Sequence, residues 1–322
     1  MINTLVISGG VAAALLAGAA FAQTAYPTKP IRVINPFPPG GSIDVVARPV
    51  FDRLRGPLGQ PLVMDFRPGG GTLIGASLAA KSPPDGYTLY AAAGQHAIIQ
   101  SVYRKLPFDV VRDFAAVVNL ATGPYLLVVH PSVPAKNVKA LLALAKASPG
   151  KLNFSSAGAG SGFHMAGELL KLISNTNIAH IPYNGGAPAA VAVLSGEVDM
   201  TFGSPAVLLP HLKSGRARAL AVSTLQRFAP LPEVPTMREA GLPGFEAASW
   251  YGLFAPAGTA REIIDRLVGD INTVLKSAEI KQVFERLGLE PAGGTADDFR
   301  TQFLNDIERW AKVAKAANVR VD

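Results

Sequence analysis

Short apolar stretches of strand length alternate with amphipathic stretches of helical length along most of this chain, and that alternation restricts its fold more than any other feature. Residues 31–37 read as a strand that runs into the turn Pro38-Pro39-Gly40-Gly41. A helix follows over 42–54, with Val45, Val46, Val50 and Leu54 on one face. Residues 62–66 form a second strand, Gly69, Gly70 and Gly71 open a second helix, and 87–92 form a third strand. The pattern resumes beyond Pro124, with strands at 126–129, 152–155, 178–183, 200–202 and 217–223 and helices at 137–147, 162–174, 187–194 and 207–212. Strand–helix repetition of this kind specifies a parallel sheet with helices on its faces. Beyond residue 223 the chain reads as mainly helical. Thr259 and Glu262 make a capping-box pattern ahead of Ile263, Ile264 and Leu267. Thr295 starts the last helix, whose Phe299, Phe303, Ile307 and Trp310 recur at helical spacing and are expected in the core.

Two such blocks in 322 residues imply two α/β lobes with a hinge and a cleft between them. Hinge candidates lie near 121–124 and 222–224. The first lobe is then discontinuous, residues 23–122 plus 224–322, and the second is 123–223. Hydrophobic residues make up 49% and charged ones 16%, the balance of a folded chain, and the 32 Gly and 26 Pro are scattered among apolar runs as turn residues.

Several function classes are disfavoured. The formal charge is +7, but Arg53 with Arg55 and Arg216 with Arg218 are short, separated groups, so no nucleic-acid partner is expected; a mild attraction for anions is. There is no cysteine, which removes disulfides, thiolate nucleophiles, Cys-based zinc sites and a lipid-modified mature end. Residues 5–22 are apolar, uncharged and end Ala20-Phe21-Ala22 before Gln23, the pattern of an export signal cleaved after Ala22. The competing reading, a membrane anchor, asks for ~20 apolar residues with charged flanks. The remainder is expected to be soluble and periplasmic.

The chemistry is expected where strands end in glycine-rich turns that open helices, because free helix-start N–H groups carry positive partial charge and bind a carboxylate without any Lys or Arg. The first such turn is Phe37, Pro39, Gly40, Gly41 and Ser42, with Ser42 in the N-cap place; Asp44 lies one turn from Arg48. The second is Ser156, Gly158, Gly160, Ser161 and His164. It lacks the G-x-G-x-x-G spacing, the lysine of a P-loop, and the glycine of a nucleophile elbow, which Ala159 replaces. Tyr183 and Asn184 precede Gly185-Gly186 at another strand end, and Asp199 and Ser204 flank a further strand; Asp199 is placed either against the ligand or in its own turn. Catalysis has little to stand on. The five histidines are dispersed, no paired carboxylates suggest acid–base work, and His164 with Glu168 supplies only part of a metal site. No catalytic residue, metal or cofactor is therefore assigned. The alternatives to a transport receptor are a ligand-dependent sensor module docking on a membrane protein, and a serine hydrolase using Ser161 with His164.

With these turns in place the sequence resembles a known family. Tyr26-Pro27 with Lys29-Pro30-Ile31-Arg32, Pro36 through Gly41 with Asp44, Asn153 through Gly158 with His164, Pro182-Tyr183 with Gly185-Gly186, Gly196 through Asp199, and Trp250 through Thr259 together resemble the tripartite tricarboxylate transporter receptors, the Bug/TctC-type periplasmic binding proteins. The resemblance covers essentially all of the chain after residue 22. It implies a type II periplasmic binding fold that closes over a small carboxylate, gripped partly through water by the turns at 37–42 and 156–161. It also implies delivery to membrane permease subunits of the tripartite tricarboxylate type, by a monomer. The sequence departs from the family at Pro39, Gln95, His96, Gln100 and Phe108, and Gln95 and His96 are expected to reshape the pocket.

Overall fold

The computed structural model describes residues 26–321; the expected signal segment, 1–22, lies outside the described residues. The first sheet is built from β1 (Ile31–Asn35), β2 (Leu62–Phe66), β3 (Thr88–Ala93), β4 (Phe114–Pro124), β10 (Ala248–Pro256) and β11 (Glu290–Gly293), in the spatial order β11-β4-β10-β3-β1-β2. β1 runs parallel to β2 and β3, and β10 lies antiparallel between β3 and β4. The sheet is therefore mixed. One face is covered by α1 (Ser42–Leu58), α8 (Arg261–Leu275) and α9 (Ala278–Arg286), the other by α2 (Leu73–Ala80), α3 (Gln95–Val102) and α10 (Ala296–Ala316).

The second sheet holds β5 (Leu126–Val129), β6 (Asn153–Ser156), β7 (Ala179–Pro182), β8 (Met200–Gly203) and β9 (Arg218–Val222), in the order β7-β6-β8-β5-β9. β6 is parallel to β7 and β8, while β5 is antiparallel to β8 and β9. Its helices are α4 (Val138–Ala147), α5 (Gly162–Ser174), α6 (Gly186–Ser195) and α7 (Pro205–Lys213).

Three expectations change. The part beyond residue 223 contains β10, which sits inside the first sheet. It escapes a periodicity search because nearly every residue from Ser249 to Pro256 is buried, as expected for a strand covered on both faces. β4 is hidden in the same way. The capping box at Thr259 does not form: Ala260 occupies the N-cap of α8, and the Thr259 hydroxyl donates to Pro256 O at 2.8 Å, within the turn that ends β10. Thr295 does start α10, in a capping box with Asp298. Finally, the stretch 224–247 packs on the second sheet rather than the first. Phe228, Leu231 and Val234 share a core with Leu126 and Val222, and Phe245 stacks on Phe202 at 5.6 Å.

The chain passes from the first sheet to the second at Pro124-Tyr125 and has left it again by Ser223, re-entering the first sheet at Ala248. Ser223 ties these passages together. Its hydroxyl accepts from Tyr125 N at 2.8 Å and donates to Ala247 O at 2.5 Å; its own amide donates to Tyr125 O, and Ala247 N donates to Ser223 O. Ser223 is fully buried. Replacing it with alanine leaves a buried backbone N–H and C=O without their side-chain partner. Ser223→Ala is expected to cost about 1–3 kcal/mol, read as a lower urea midpoint at unchanged m; an unaltered midpoint would show that the clasp carries no stability.

Candidate functional site

Because β1, β2 and β3 run the same way, the turns after Asn35, Phe66 and Ala93 share one edge of the first sheet. The turns after Ser156, Pro182 and Gly203 share one edge of the second for the same reason. The crossings at Tyr125 and Ser223 join these edges, so the turns of the two lobes face each other. Two tyrosines mark the meeting. Ser42, Ser249 and Tyr251 cluster at the first turn, with both serine side chains against the Tyr251 hydroxyl. The Tyr125 hydroxyl lies between the lobes: a Cβ added to Gly162 would stand 2.3 Å from it, and one added to Gly94 would stand 3.9 Å away. Gly162 therefore lets α5 begin against Tyr125. Burial, and after it the neighbouring Tyr251, pushes the Tyr125 hydroxyl up, and burial does the same for Tyr251, so both remain neutral.

The first turn keeps its helix-start amides available. Gly41, not Ser42, is the N-cap of α1, and no side chain caps the helix. Phe37 N donates to Asn35 Oδ1 at 3.0 Å, Gly40 N to Asp44 Oδ2 at 2.8 Å, and Gly41 N to Pro38 O at 3.1 Å. These bonds shape the turn. Asp44 is buried and paired with Arg48 at 2.5 Å, so its carboxylate braces the turn rather than facing a ligand. The N–H groups of Ser42, Ile43 and Asp44 stand in the first helical turn, where no intrahelical acceptor exists. Pro39, Gly40 and Ser42 are exposed and Phe37 is half-buried.

The second turn is more self-contained than expected. Gly158 N donates to Ser156 Oγ at 3.1 Å, Gly160 N to His164 Nδ1 at 3.0 Å, and Ser161 N to Gly158 O at 3.1 Å. The amides of Gly158, Gly160 and Ser161 thus turn inward, because positive φ at Gly158 (121°) and Gly160 (74°) curls the backbone on itself. The Ser161 hydroxyl caps α5 by accepting from the backbone N–H of His164 at 3.3 Å, while the His164 ring accepts from Gly160. Gly162 and Phe163 hold the helix-start positions that remain. His164 is buried behind the turn rather than lining the cleft.

The other expected residues divide. Gln95 is half-buried and donates through Nε2 to Gly71 O at 3.2 Å, joining neighbouring turns of the first edge. Asn184 is exposed, and Gly185, with φ 114°, begins α6 with no side-chain cap. Ser204 is the N-cap of α7, again with no capping side-chain bond. The Tyr183 hydroxyl instead donates to Glu197 Oε1 at 2.7 Å; desolvation and then Glu197 push it up to about 12. Asp199 is a structural residue. It precedes β8, at the opposite end of the strand from the cleft, and its Oδ2 accepts from Asn153 N at 2.8 Å while Asn153 Oδ1 accepts from Asp199 N at 2.9 Å. No cluster of His, Cys, Asp and Glu fit to hold a metal occurs among the described residues. A groove of about 510 Å³ lies between Phe228 and Leu289 at the β11 edge.

A two-lobed α/β frame with facing, helix-opening turns at its interlobe edges is the architecture of a type II periplasmic solute-binding protein. The model of the tripartite tricarboxylate transporter family receptor matches residues 46–319. The chain is 37% identical over 323 residues to protein BugT of Bordetella pertussis, covering 100% of this chain and 97% of that protein. It is 38% identical over 310 residues to the UPF0065 protein in the tcbD-tcbE intergenic region of Pseudomonas sp., covering 95% and 92%. Among solved structures, R. palustris Rpa4515 with adipate superposes with a TM-score of 0.84 at 37% identity, covering 92% of this chain and 99% of that one. MatC from Rhodopseudomonas palustris with bound malate gives 0.80 at 29% identity, covering 89% and 99%. The chain belongs to the tripartite tricarboxylate transporter receptor family.

His96 does not reach the pocket. Its ring is turned into a cage of Tyr90, Phe108, Phe114, Phe254 and Phe303, with Phe303 stacked at 5.4 Å, and neither ring nitrogen has a hydrogen-bond partner. Burial holds its pKa down to about 3 against an ordinary 6.5. The folded ring stays neutral where the unfolded one takes a proton, so stability falls as pH drops below 6.5 and the loss is complete near 3. His96→Leu removes this ionisation. Its stability relative to the native chain is expected to improve by about 2–3 kcal/mol between pH 7 and pH 4.5, measured by urea unfolding at each pH; a pH-independent difference would show that the buried ring is not a source of acid lability.

Proposed function

We propose that this receptor binds a small organic acid reversibly in the interlobe cleft and passes it to membrane permease subunits of the tripartite tricarboxylate type. The carboxylate is held by helix-start amides of α1 and α5, with Ser42, Gln95, Asn184, Ser204 and the two tyrosine hydroxyls completing the lining. The lobes close about the crossings at Tyr125 and Ser223, and the protein acts in the periplasm as a monomer. The observation that carries this reading is the uncapped start of α1 facing the start of α5 across the Tyr125–Tyr251 pair. Adipate in one relative and malate in another support a carboxylate as the ligand class. Binding is favoured over turnover because the Ser161 hydroxyl meets the His164 main chain rather than its ring, so the pair lacks the contact that activates a serine nucleophile.

A micromolar ligand needs only about −8 kcal/mol, within reach of a few charge-assisted hydrogen bonds plus burial. A thermal-shift screen of mono-, di- and tricarboxylates that includes adipate and malate is expected to give at least one rise of several degrees. Saturation at a hundredfold excess over Kd stabilises the folded state by about 2.7 kcal/mol. A flat response to every carboxylate would sink the ligand class.

Ser42→Pro tests the grip directly. Proline suits the first helical position, and the extended Gly41 before it accepts a following proline, so the substitution deletes one N–H and leaves α1 in place. Affinity is expected to fall by about tenfold or more, with Ser42→Ala much closer to the native protein. Equal affinities for the two variants would show that the Ser42 amide does not touch the acid.

A further inference from the structure

A buried polar cluster stands directly behind the second turn. The rings of His164, on α5, and His180, on β7, stack at 3.8 Å with 13° between their planes, and Phe154 packs against both. Each ring holds one part of the turn. His164 Nδ1 accepts from Gly160 N at 3.0 Å. His180 Nε2 lies 2.6 Å from Ser156 Oγ, which accepts from Gly158 N and donates to Gly158 O, both at 3.1 Å. That pattern is complete when His180 carries its proton on Nε2. On its other side His164 Nε2 is 3.6 Å from Glu168 Oε1, which is held by Lys171 at 2.8 Å.

We propose that His164 is the positioning residue of the second ligand turn: its neutral ring, backed by His180, locks Gly160 inward so that the start of α5 is presented to the acid, and protonation at Nδ1 releases the lock. The inference rests on the carboxylate reading only for its consequence, not for its geometry. Nδ1 accepts a hydrogen bond only while unprotonated. Once charged, it would set one N–H against another. His180 stays neutral through mild acid, since burial, with the charge of His164 second, holds it down to about 3.

Several elements supply the groups around the pair. Glu168 and Lys171 come from α5 itself, and Phe154 and Ser156 from β6. From the first lobe, Val102 and Val321 border Gly160. The charges acting on His180 are those of His164, Glu168 and Lys171, and those acting on Glu168 are those of Lys171 and His164. Glu168 itself is raised by burial, and the hydrogen bonds and charges of His164 and Lys171 outweigh that, leaving it below the ordinary range and ionised.

The test follows the Gly160 amide and the His164 ring by nitrogen-15 NMR between pH 7.5 and pH 5 in the native protein, His164→Asn and His164→Gln. Asparagine places an acceptor oxygen where Nδ1 stands and does not titrate, whereas glutamine reaches toward the Nε2 place. In the native protein the Gly160 amide should titrate with the His164 midpoint and lose at least tenfold in exchange protection. In His164→Asn it should stay protected throughout, and in His164→Gln it should be unprotected throughout. A Gly160 amide that ignores the ring's titration in the native protein overturns the proposal, whether or not either variant folds. For binding, the adipate Kd is taken as a ratio to His164→Asn at each pH, which cancels the ligand's own protonation. The ratio should rise about two- to tenfold on acidification; a falling ratio would mean that the ring attracts the acid as a charge, and would overturn the positioning role. Failure of adipate and every other carboxylate to bind would count against the proposed function and leave the NMR result to decide the lock.

Discussion

An α-helix begins with amides that have no partner inside the helix, and where this protein leaves them open decides the rest of its design. At the cleft edges α1, α2, α3, α6 and α7 start without a side-chain cap, and among these cleft-edge helices only α5 has one. Away from the cleft three of the four helices are capped: Asn137, Ser277 and Thr295 cap α4, α9 and α10, while α8 starts at Ala260 without a side-chain cap. A good cap is worth about 1 kcal/mol. Stability is thus forgone where parallel strands end and recovered where helices only need to begin. The result is an electropositive edge on each lobe made from backbone, with the neutral hydroxyls of Tyr125 and Tyr251 between them.

That arrangement explains why so little of the site is charged. Fixed N–H groups at helix starts present partial charges that are already oriented and that no side chain has to be immobilised to provide. The charged residues near the turns have another task. Asp44 holds the first turn through Gly40 and Arg48, and Glu168 supports the histidine stack behind the second. The lobes are joined by the chain crossings clasped at Ser223 and by the aromatic face of α10, whose Phe299, Phe303 and Trp310 share an apolar cluster with Leu127, Phe154 and Met165 of the second lobe.

The turns are legible in the sequence, and their interiors are not. Gly40, Gly41, Gly158 and Gly160 are recognisable because strand, glycine and helix follow one another locally. Whether a given amide points outward depends on how side chains two to four residues away fold back onto it, which the order of residues does not show. His164 was placed in the pocket by its position in the motif, yet it lies behind the turn because Gly160 N needs an acceptor there. Of the two places the sequence leaves open for Asp199, the structural one is found, because parallel strands send their opening residues to the far edge of the sheet. The Tyr125–Tyr251 meeting has no local signal, since the residues are far apart in sequence and become neighbours only through the crossings.

By itself the sequence determined the two-block α/β class, the family and the positions of the glycine-rich turns that open α1 and α5, because each depends on periodicity or on residues close together along the chain. Tertiary structure alone decided that β4 and β10 complete the first sheet, that 224–247 belongs with the second, and that His96 is sealed in an aromatic cage. Those outcomes depend on pairing register and on contacts between distant segments, and neither leaves a pattern in the order of the residues.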